Sequence, residues 1–416
     1  MTEAISVRSP RLGPAVWLVL LAAGGTFALT MGARQSMGLF LGALNTHTGL
    51  GIASISLAFA FGQLWWGLTQ PLAGMVADRV GAGRVLVVGV LLIAIGTALV
   101  PFMSSTAGLI LAVGVLAAGG AGMAGPSVLM AATTRLMPPA RRGMATGIVN
   151  AGGSFGQFVF APIAQGVSAA AGWVVAVQTL AALSLLALPA AWVLKGHAAH
   201  PSSAAPTAAR ETTGEAVRRA LADPSFRLLA TGFFVCGFHV AFIATHLPGV
   251  VASCQLPPAV GAWALAVIGL FNIVGSFAIG WAIGHDGGRW RMKSLLSLIY
   301  AARALAVLVF VFAPKTSAVM LVFAAVLGLT YLSTVPPTVG LVAKLFGTAH
   351  MGLLFGLVML THQIGGFLGA WLGGKAFEAS GSYDWMWYAD IVLAVGAALV
   401  HMPIREARRT VQVRAA

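Results

Sequence analysis

Gly74-Met75-Val76-Ala77-Asp78-Arg79-Val80-Gly81-Ala82-Gly83-Arg84 is the stretch that decides how this chain folds. One acid and two arginines are crowded into a few glycine-punctuated residues. An apolar run covers roughly 52–77 before it, and a second covers 84–103 after it. An apolar run longer than about 18 residues with few charges is long enough to cross a bilayer. The stretch therefore reads as the charged tip of a hairpin joining two membrane spans.

The same pattern repeats along the whole chain. Apolar runs fall at roughly 14–44, 52–77, 84–103, 107–135, 143–170, 173–195, 225–252, 258–284, 294–313, 317–344, 351–379 and 384–404. Of 416 residues, 59% are hydrophobic and 8% charged, and mean hydropathy is +0.92; soluble domains carry about 25% charged residues. The bilayer core offers no water to backbone groups, which leaves helices or closed barrels. The runs are continuous and lack strand alternation, so the predicted fold is an all-α membrane protein with twelve transmembrane helices.

The net charge of +14 does not point to nucleic acid, because the basic residues sit in short loops on one side. These are Arg79 and Arg84; Arg135, Arg141 and Arg142; Lys195, Arg210, Arg218 and Arg219; Arg289, Arg291 and Lys293; and Lys344. The tails add Arg8, Arg11, Arg405, Arg408, Arg409 and Arg414, while the opposite loops offer little beyond Lys315. Lys and Arg collect on the cytoplasmic side. The expected placement is a bacterial-type inner (plasma) membrane, with both termini cytoplasmic. Trp17 begins a long apolar run with no small-residue cleavage site behind a short core, so the first span reads as retained. Cys236 and Cys254 are too few for a disulfide framework and read as packing residues. A single bundle of twelve spans needs no partner, so a monomer is expected.

The polar stretch 196–224 divides six spans from six. It is rich in Ala, Ser, Pro and Thr, holds Glu211, Glu215, Arg218 and Arg219, and reads as a linker with a short surface helix. The expected domains are a first six-helix bundle over 1–195, a cytoplasmic linker over 196–224, and a second bundle with a short tail over 225–416. The halves repeat each other. An offset of 206 residues places Gly74 on Gly280; an offset of 209 places Arg135 on Lys344, Gly143 on Gly352, Gly147 on Gly356 and Gly156 on Gly365. Repeats of this kind hold a solute site at their interface near the membrane midplane.

The quoted loop resembles the signature Gly-x-x-x-Asp-Arg-x-Gly-x-x-Arg of the major facilitator superfamily. With the twelve spans and the halfway linker, the resemblance covers essentially the whole chain. It implies two pseudo-symmetric six-helix bundles that rock about a central site. It also implies that Gly74, Asp78, Arg79, Gly81 and Arg84 form a cytoplasmic gate, with Asp78 accepting from helix N-termini or arginines of the facing bundle. In the second half Gly284 stands where Asp78 would align and Asp286 is displaced by two, so that copy is degraded.

Span 1 reads Ala33-Arg34-Gln35-Ser36-Met37-Gly38-Leu39-Phe40. Arg34 lies mid-helix, where a charge is costly and faces a cavity. This stretch is similar to the first helix of the monocarboxylate transporter group and its oxalate–formate antiporter-like bacterial relatives, in which a basic residue attracts the substrate carboxylate. The same resemblance implies an acid and an arginine in span 8; here those positions hold Asn272 and Ser276. Proton coupling through such a pair is thereby in doubt, and histidine is the replacement. His362 in span 11, and His239 and His246 seven apart on one face of span 7, are the proton-coupling candidates, since histidine titrates near neutrality.

The expected substrate-binding set is Arg34, Gln35, Asn150, Gln157, Asn272, Tyr331, His362 and Gln363. Arg303 in span 9 and Asp390 in span 12 read as structural ions, able to pair with each other or with spans 8 and 11. Lys375, Glu378 and Asp384 read as interfacial. Span 5 has Gln157 where drug antiporters place proline, and span 4 lacks their arginine. No nucleotide-binding loop, metal-ligand cluster, cofactor motif or paired catalytic carboxylate is visible, so neither an enzyme nor an ATP-driven pump is expected. The expected function is secondary transport of a small organic anion, in particular a monocarboxylate, by proton symport or anion exchange. The alternative is proton-coupled export of drugs or other neutral or cationic solutes.

Overall fold

The computed structural model describes residues 13–135, 137, 142–195, 212–284, 290–347 and 350–406. Arg8, Arg11, Arg141, Arg210, Glu211, Asp286, Arg289, Arg408, Arg409 and Arg414 lie outside the described residues. Among those described there is no strand. Six rods make the first half: α1 (Pro14–Thr48), α2 (Ile52–Val80), α3 (Ala82–Phe102), α4 (Thr106–Arg135), α5 (Arg142–Ala171) and α6 (Trp173–Val193). A short helix, α7 (Thr213–Ala222), follows. Six more rods make the second half: α8 (Pro224–Ser253), α9 (Pro258–Gly284), α10 (Met292–Phe312), α11 (Ser317–Phe346), α12 (Met351–Ser380) and α13 (Asp384–His401).

Ten of the twelve rods are long and apolar enough to cross a membrane by length and composition alone. The other two are diluted, α5 by Asn150, Gln157 and Gln165, and α13 by Asp384 and Asp390. Large apolar side chains such as Leu21, Ile95, Phe102, Trp192, Phe312 and Val309 point outward, which suits lipid. Helix α7 begins with a capping box: Thr212 accepts from the Glu215 N–H, and Glu215 accepts from the Thr212 N–H at 2.8 Å. Hydrogen bonds from Thr212 hold the Glu215 carboxyl below its ordinary value.

Lipid is as apolar as the side chains it touches, so helices associate by close packing. Glycine supplies that closeness, and it does so twice. A Cβ on Gly156 of α5 would lie 2.0 Å from the Ala28 carbonyl oxygen of α1. At the equivalent place in the second half, a Cβ on Gly365 of α12 would lie 2.0 Å from the Phe234 carbonyl oxygen of α8. One turn away, Gly152 presses on the Gly24 carbonyl, while its counterpart Thr361 donates to the Ala230 carbonyl at 2.8 Å. The repeat seen in the sequence is thus a repeat of helix contacts. Gly156→Leu would drive a side chain into the α1 backbone, where overpacking costs about 1–3 kcal/mol. The expected outcome is a lower melting temperature of the detergent-solubilised protein, measured by tryptophan fluorescence.

The halves meet along α2–α12, α5–α9 and α1–α8. At the end opposite the basic loops they are tightly joined. Glu378 of α12 accepts the Ala53 N–H at the start of α2 at 3.0 Å, Gly374 lies on Ser56, and Gly38 of α1 lies on the Ala244 carbonyl of α8. Toward the basic end, Gly74, Gly147, Gly352 and Gly356 have nothing within 4 Å of a Cβ position. The structure is therefore closed at the end opposite the basic loops. Glu378, expected to be merely interfacial, is a cross-half cap on the α2 N-terminus, where a carboxylate is favoured. Glu378→Gln removes the charge from that bond. It should weaken closure by about 1 kcal/mol, a roughly fivefold shift toward opening at this end. Maleimide labelling of a Ser56→Cys reporter should accelerate accordingly.

Candidate substrate site

A small cavity lies among α1, α2, α3 and α4, and Ala244 and Thr245 of α8 close one side. Two irregular segments shape the wall. The 3₁₀ turn Met37–Phe40 interrupts α1 and presents Met37 and Gly38; the π-helical stretch Ile110–Ala117 of α4 presents Val113 and Ala117. Departures from α geometry at membrane depth are tolerated where the backbone is buried or lines a cavity.

Arg34 supplies the cavity's charge. Its Nη2 donates to Gln63 Oε1 at 2.5 Å, and the guanidinium carbon sits 4.8 Å from the ring centre of Trp66. Both partners are neutral. Among the described residues no carboxylate pairs with Arg34. Gln35, Gln63, Thr97 and Thr245 add polar groups to an otherwise apolar wall of Met37, Phe59, Ile93 and Val113. The arrangement is a cation with spare donors in a mostly apolar pocket, which suits a single anionic group.

Of the predicted binding residues, Arg34 and Gln35 line this cavity. The others take different places. Asn150 is exposed. Gln157 is buried at the α5–α9 contact beside Gly269, with its Nε2 unpartnered. Asn272 is a brace: its Nδ2 donates to Ser154 of the other half at 2.8 Å, and its Oδ1 accepts the Leu332 N–H at 2.9 Å. Tyr331 donates its hydroxyl to the Val240 carbonyl at 2.9 Å, with Gln35 alongside. Gln363 is pressed on Gly67 of α2 with neither amide atom bonded. His362 lies 4.9 Å from the Phe233 ring, beside Cys236, with Nδ1 unpartnered. The expected joint site of Arg34 with His362, Gln363 and Asn272 is therefore not assembled in this structure, because those three face helix contacts and not this lining.

The other expectations divide as well. His246 bonds the Ala370 carbonyl at 2.7 Å and packs on Gly373, so it ties α8 to α12. His239 is in contact with both ions read as structural: Arg303 Nη1 lies 3.2 Å from its Nδ1, and Asp390 Oδ1 lies 3.4 Å from its Nε2. In the quoted loop, Asp78 pairs with Arg135 of its own half, and among the described residues it has no ion pair with the facing bundle. Both side chains are about half exposed, and such surface pairs contribute about 0.2–1 kcal/mol. Gly81 carries φ 91° at the α2–α3 turn, a left-handed backbone that calls for glycine. Arg79 and Arg84 are exposed. Sequence reading missed Gln63, Trp66, Thr97 and Thr245. Gln63 followed by the Trp65–Trp66 pair in an apolar span was the visible signal.

Two repeated bundles of membrane-length helices, with a buried cation in a largely apolar pocket of the first, fit a membrane carrier of small solutes. A profile of the Major Facilitator Superfamily matches residues 18–370 and 258–415, and the chain belongs to that superfamily. Among curated relatives it is 26% identical to monocarboxylate transporter 13 of Rattus norvegicus, over 93% of this chain and 89% of the relative. It is 24% identical to the uncharacterized MFS-type transporter YcxA of Bacillus subtilis (strain 168), over 90% of this chain and 91% of the relative. Its fold matches a bacterial homolog of the human lysosomal transporter Spinster in an inward-facing, unoccupied conformation, with a TM-score of 0.77 and 16% identity over 94% of this chain and 97% of that one. The chain is thus a transporter of that superfamily, and its cargo is a small molecule.

Proposed function

We propose that the protein is a secondary transporter of a small organic anion, specifically a monocarboxylate, working by alternating access with proton symport or anion exchange. The observation that carries this reading is Arg34, a cation in the cavity with only neutral partners. A neutral or cationic cargo would leave that charge uncompensated in a low-dielectric site, which is unfavourable; a carboxylate neutralises it. The names of relatives such as monocarboxylate transporter 13 agree with an anionic cargo. In this proposal Arg34 clamps the carboxylate, while Gln35, Gln63 and Thr97 orient it. The basic end is cytoplasmic, in a bacterial-type inner membrane, and the unit is a monomer of bundles 1–195 and 225–416 joined by the linker 196–224. The loop residues Gly74, Asp78, Arg79, Gly81 and Arg84 close the basic end in the opposite conformation, when Asp78 changes partners.

Uptake into proteoliposomes tests this with a panel of two- to four-carbon monocarboxylates, with and without an imposed pH gradient. Members of the panel should enter, and a lipophilic cation should not. Stimulation by an acid exterior identifies symport, and stimulation by internal anion identifies exchange. If no carboxylate enters while the cation does, the anion reading is wrong.

A further inference from the structure

Behind the cavity, in the second half alone, lies a second set of charges that the substrate reading does not use. Arg303 of α10 is 1% exposed, His239 of α8 and Asp390 of α13 each 2%. They form a chain. Arg303 Nη1 is 3.2 Å from His239 Nδ1, and His239 Nε2 is 3.4 Å from Asp390 Oδ1. Guanidinium can only donate, so Nδ1 must accept, and the ring proton of the neutral imidazole then sits on Nε2, facing the aspartate. At 3.4 Å that contact is long, and Asp390 Oδ1 has no hydrogen-bond donor. A buried carboxylate in a membrane protein with so little support is costly. Taking up a proton removes that cost.

The far end of the chain meets a break in a helix. Rod α11 stops at Thr330 and resumes at Val335, leaving Tyr331–Thr334 outside both helical segments. The freed carbonyls are held by Arg303, whose Nη2 donates to the Thr330 oxygen and, at 3.0 Å, to the Tyr331 oxygen. Asn272 holds the Leu332 N–H, and Cys236 lies 3.2 Å from Thr334 Oγ1. Tyr331 therefore touches the ion chain with its backbone, and its hydroxyl lies beside Gln35, the neighbour of Arg34.

We propose that Asp390, His239 and Arg303 form a proton-binding site whose charge is transmitted to the substrate cavity through the broken segment of α11. With Asp390 ionised and His239 neutral, the chain carries no net charge. A proton from water that binds the Asp390 carboxylate makes the chain net +1, with no other bond formed or broken. The uncompensated Arg303 then favours an anion on the cavity side and holds the α11 carbonyls more strongly. The remaining titratable groups around the chain are Cys236 on α8, Tyr300 on α10, Tyr331 on α11, His362 on α12 and His401 on α13. None is a carboxylate. Tyr300 donates to the Gly232 carbonyl at 2.6 Å, and His401 is bonded to the Ala397 carbonyl at 2.7 Å. The direction of coupling rests on the anionic cargo proposed above; the protonation does not.

Infrared difference spectroscopy of cargo-free proteoliposomes, titrated from roughly pH 8 to roughly pH 5, tests the site. The wild type should gain the carbonyl band of a protonated, buried carboxylic acid. Asp390→Asn should lack that band. Asp390→Glu should restore it at a displaced frequency, which also reports on the site should the asparagine variant fold poorly. His239→Gln should keep the band but move its midpoint by about one pH unit, tenfold in proton affinity, which a merely structural histidine would not do. Absence of the band in the wild type, or an identical band in Asp390→Asn, would overturn the proposal. Because no cargo is present, a positive result stands even if the carboxylate panel fails, and the anion reading alone would then fall.

Discussion

Arg34→Ala is expected to abolish carboxylate binding and uptake. In the free protein the guanidinium is held by Gln63 and the Trp66 face; with cargo bound, its spare N–H groups meet the carboxylate. Removing one member of a desolvated ion pair typically costs about 3–5 kcal/mol, more than about a hundredfold in affinity. Arg34→Lys separates charge from shape. An ammonium keeps the charge but loses the planar fork and the stacking on Trp66, so intermediate affinity is expected. Direct titration calorimetry on purified protein, alongside uptake, measures both. Normal uptake by Arg34→Ala would remove Arg34 from the site.

The second large effect concerns the fold. Arg303→Leu leaves Asp390 without its counter-charge, the Thr330 carbonyl without its side-chain donor and the Tyr331 carbonyl with the Cys236 thiol alone. The expected destabilisation is roughly 3–5 kcal/mol, read as loss of monodisperse protein or a steep fall in melting temperature. Arg303→Leu combined with Asp390→Leu should recover much of the loss, because no orphaned charge remains. Recovery should be incomplete, since the guanidinium's bonds to the Thr330 and Tyr331 carbonyls stay lost. Equal loss in the single and double variants would show that Asp390 and Arg303 are not energetically coupled.

The architecture was legible because membrane spans announce themselves by length. All twelve apolar runs became rods, and the 206- and 209-residue offsets became matching contacts, Gly156 on Ala28 and Gly365 on Phe234. Arg34 was legible too, since a lone mid-span charge needs a reason. Its surroundings were not. Gln63 and Trp66 come from α2, and one sequence does not say which face of that helix meets α1. Asn272 shows the same limit: a polar residue in a span marks either a cavity or a brace, and the two differ only in what lies across from it. Arg303 and Asp390 were read as structural ions that could pair directly; instead His239, from a third helix, stands between them. Asp78 was read from the family pattern as facing the other bundle, yet in this conformation it is paired within its own half.

The most direct test of an organic anion as cargo is counterflow. Liposomes containing the purified protein and loaded with an unlabelled monocarboxylate are diluted into the labelled compound, and accumulation is followed without any imposed gradient. Exchange across a carrier requires only that the cargo bind at both faces, so the result does not depend on the coupling ion. Transient accumulation of label, lost in Arg34→Ala, is the predicted result. Absence of accumulation for every monocarboxylate tested, with accumulation of a lipophilic cation under the same conditions, would contradict it.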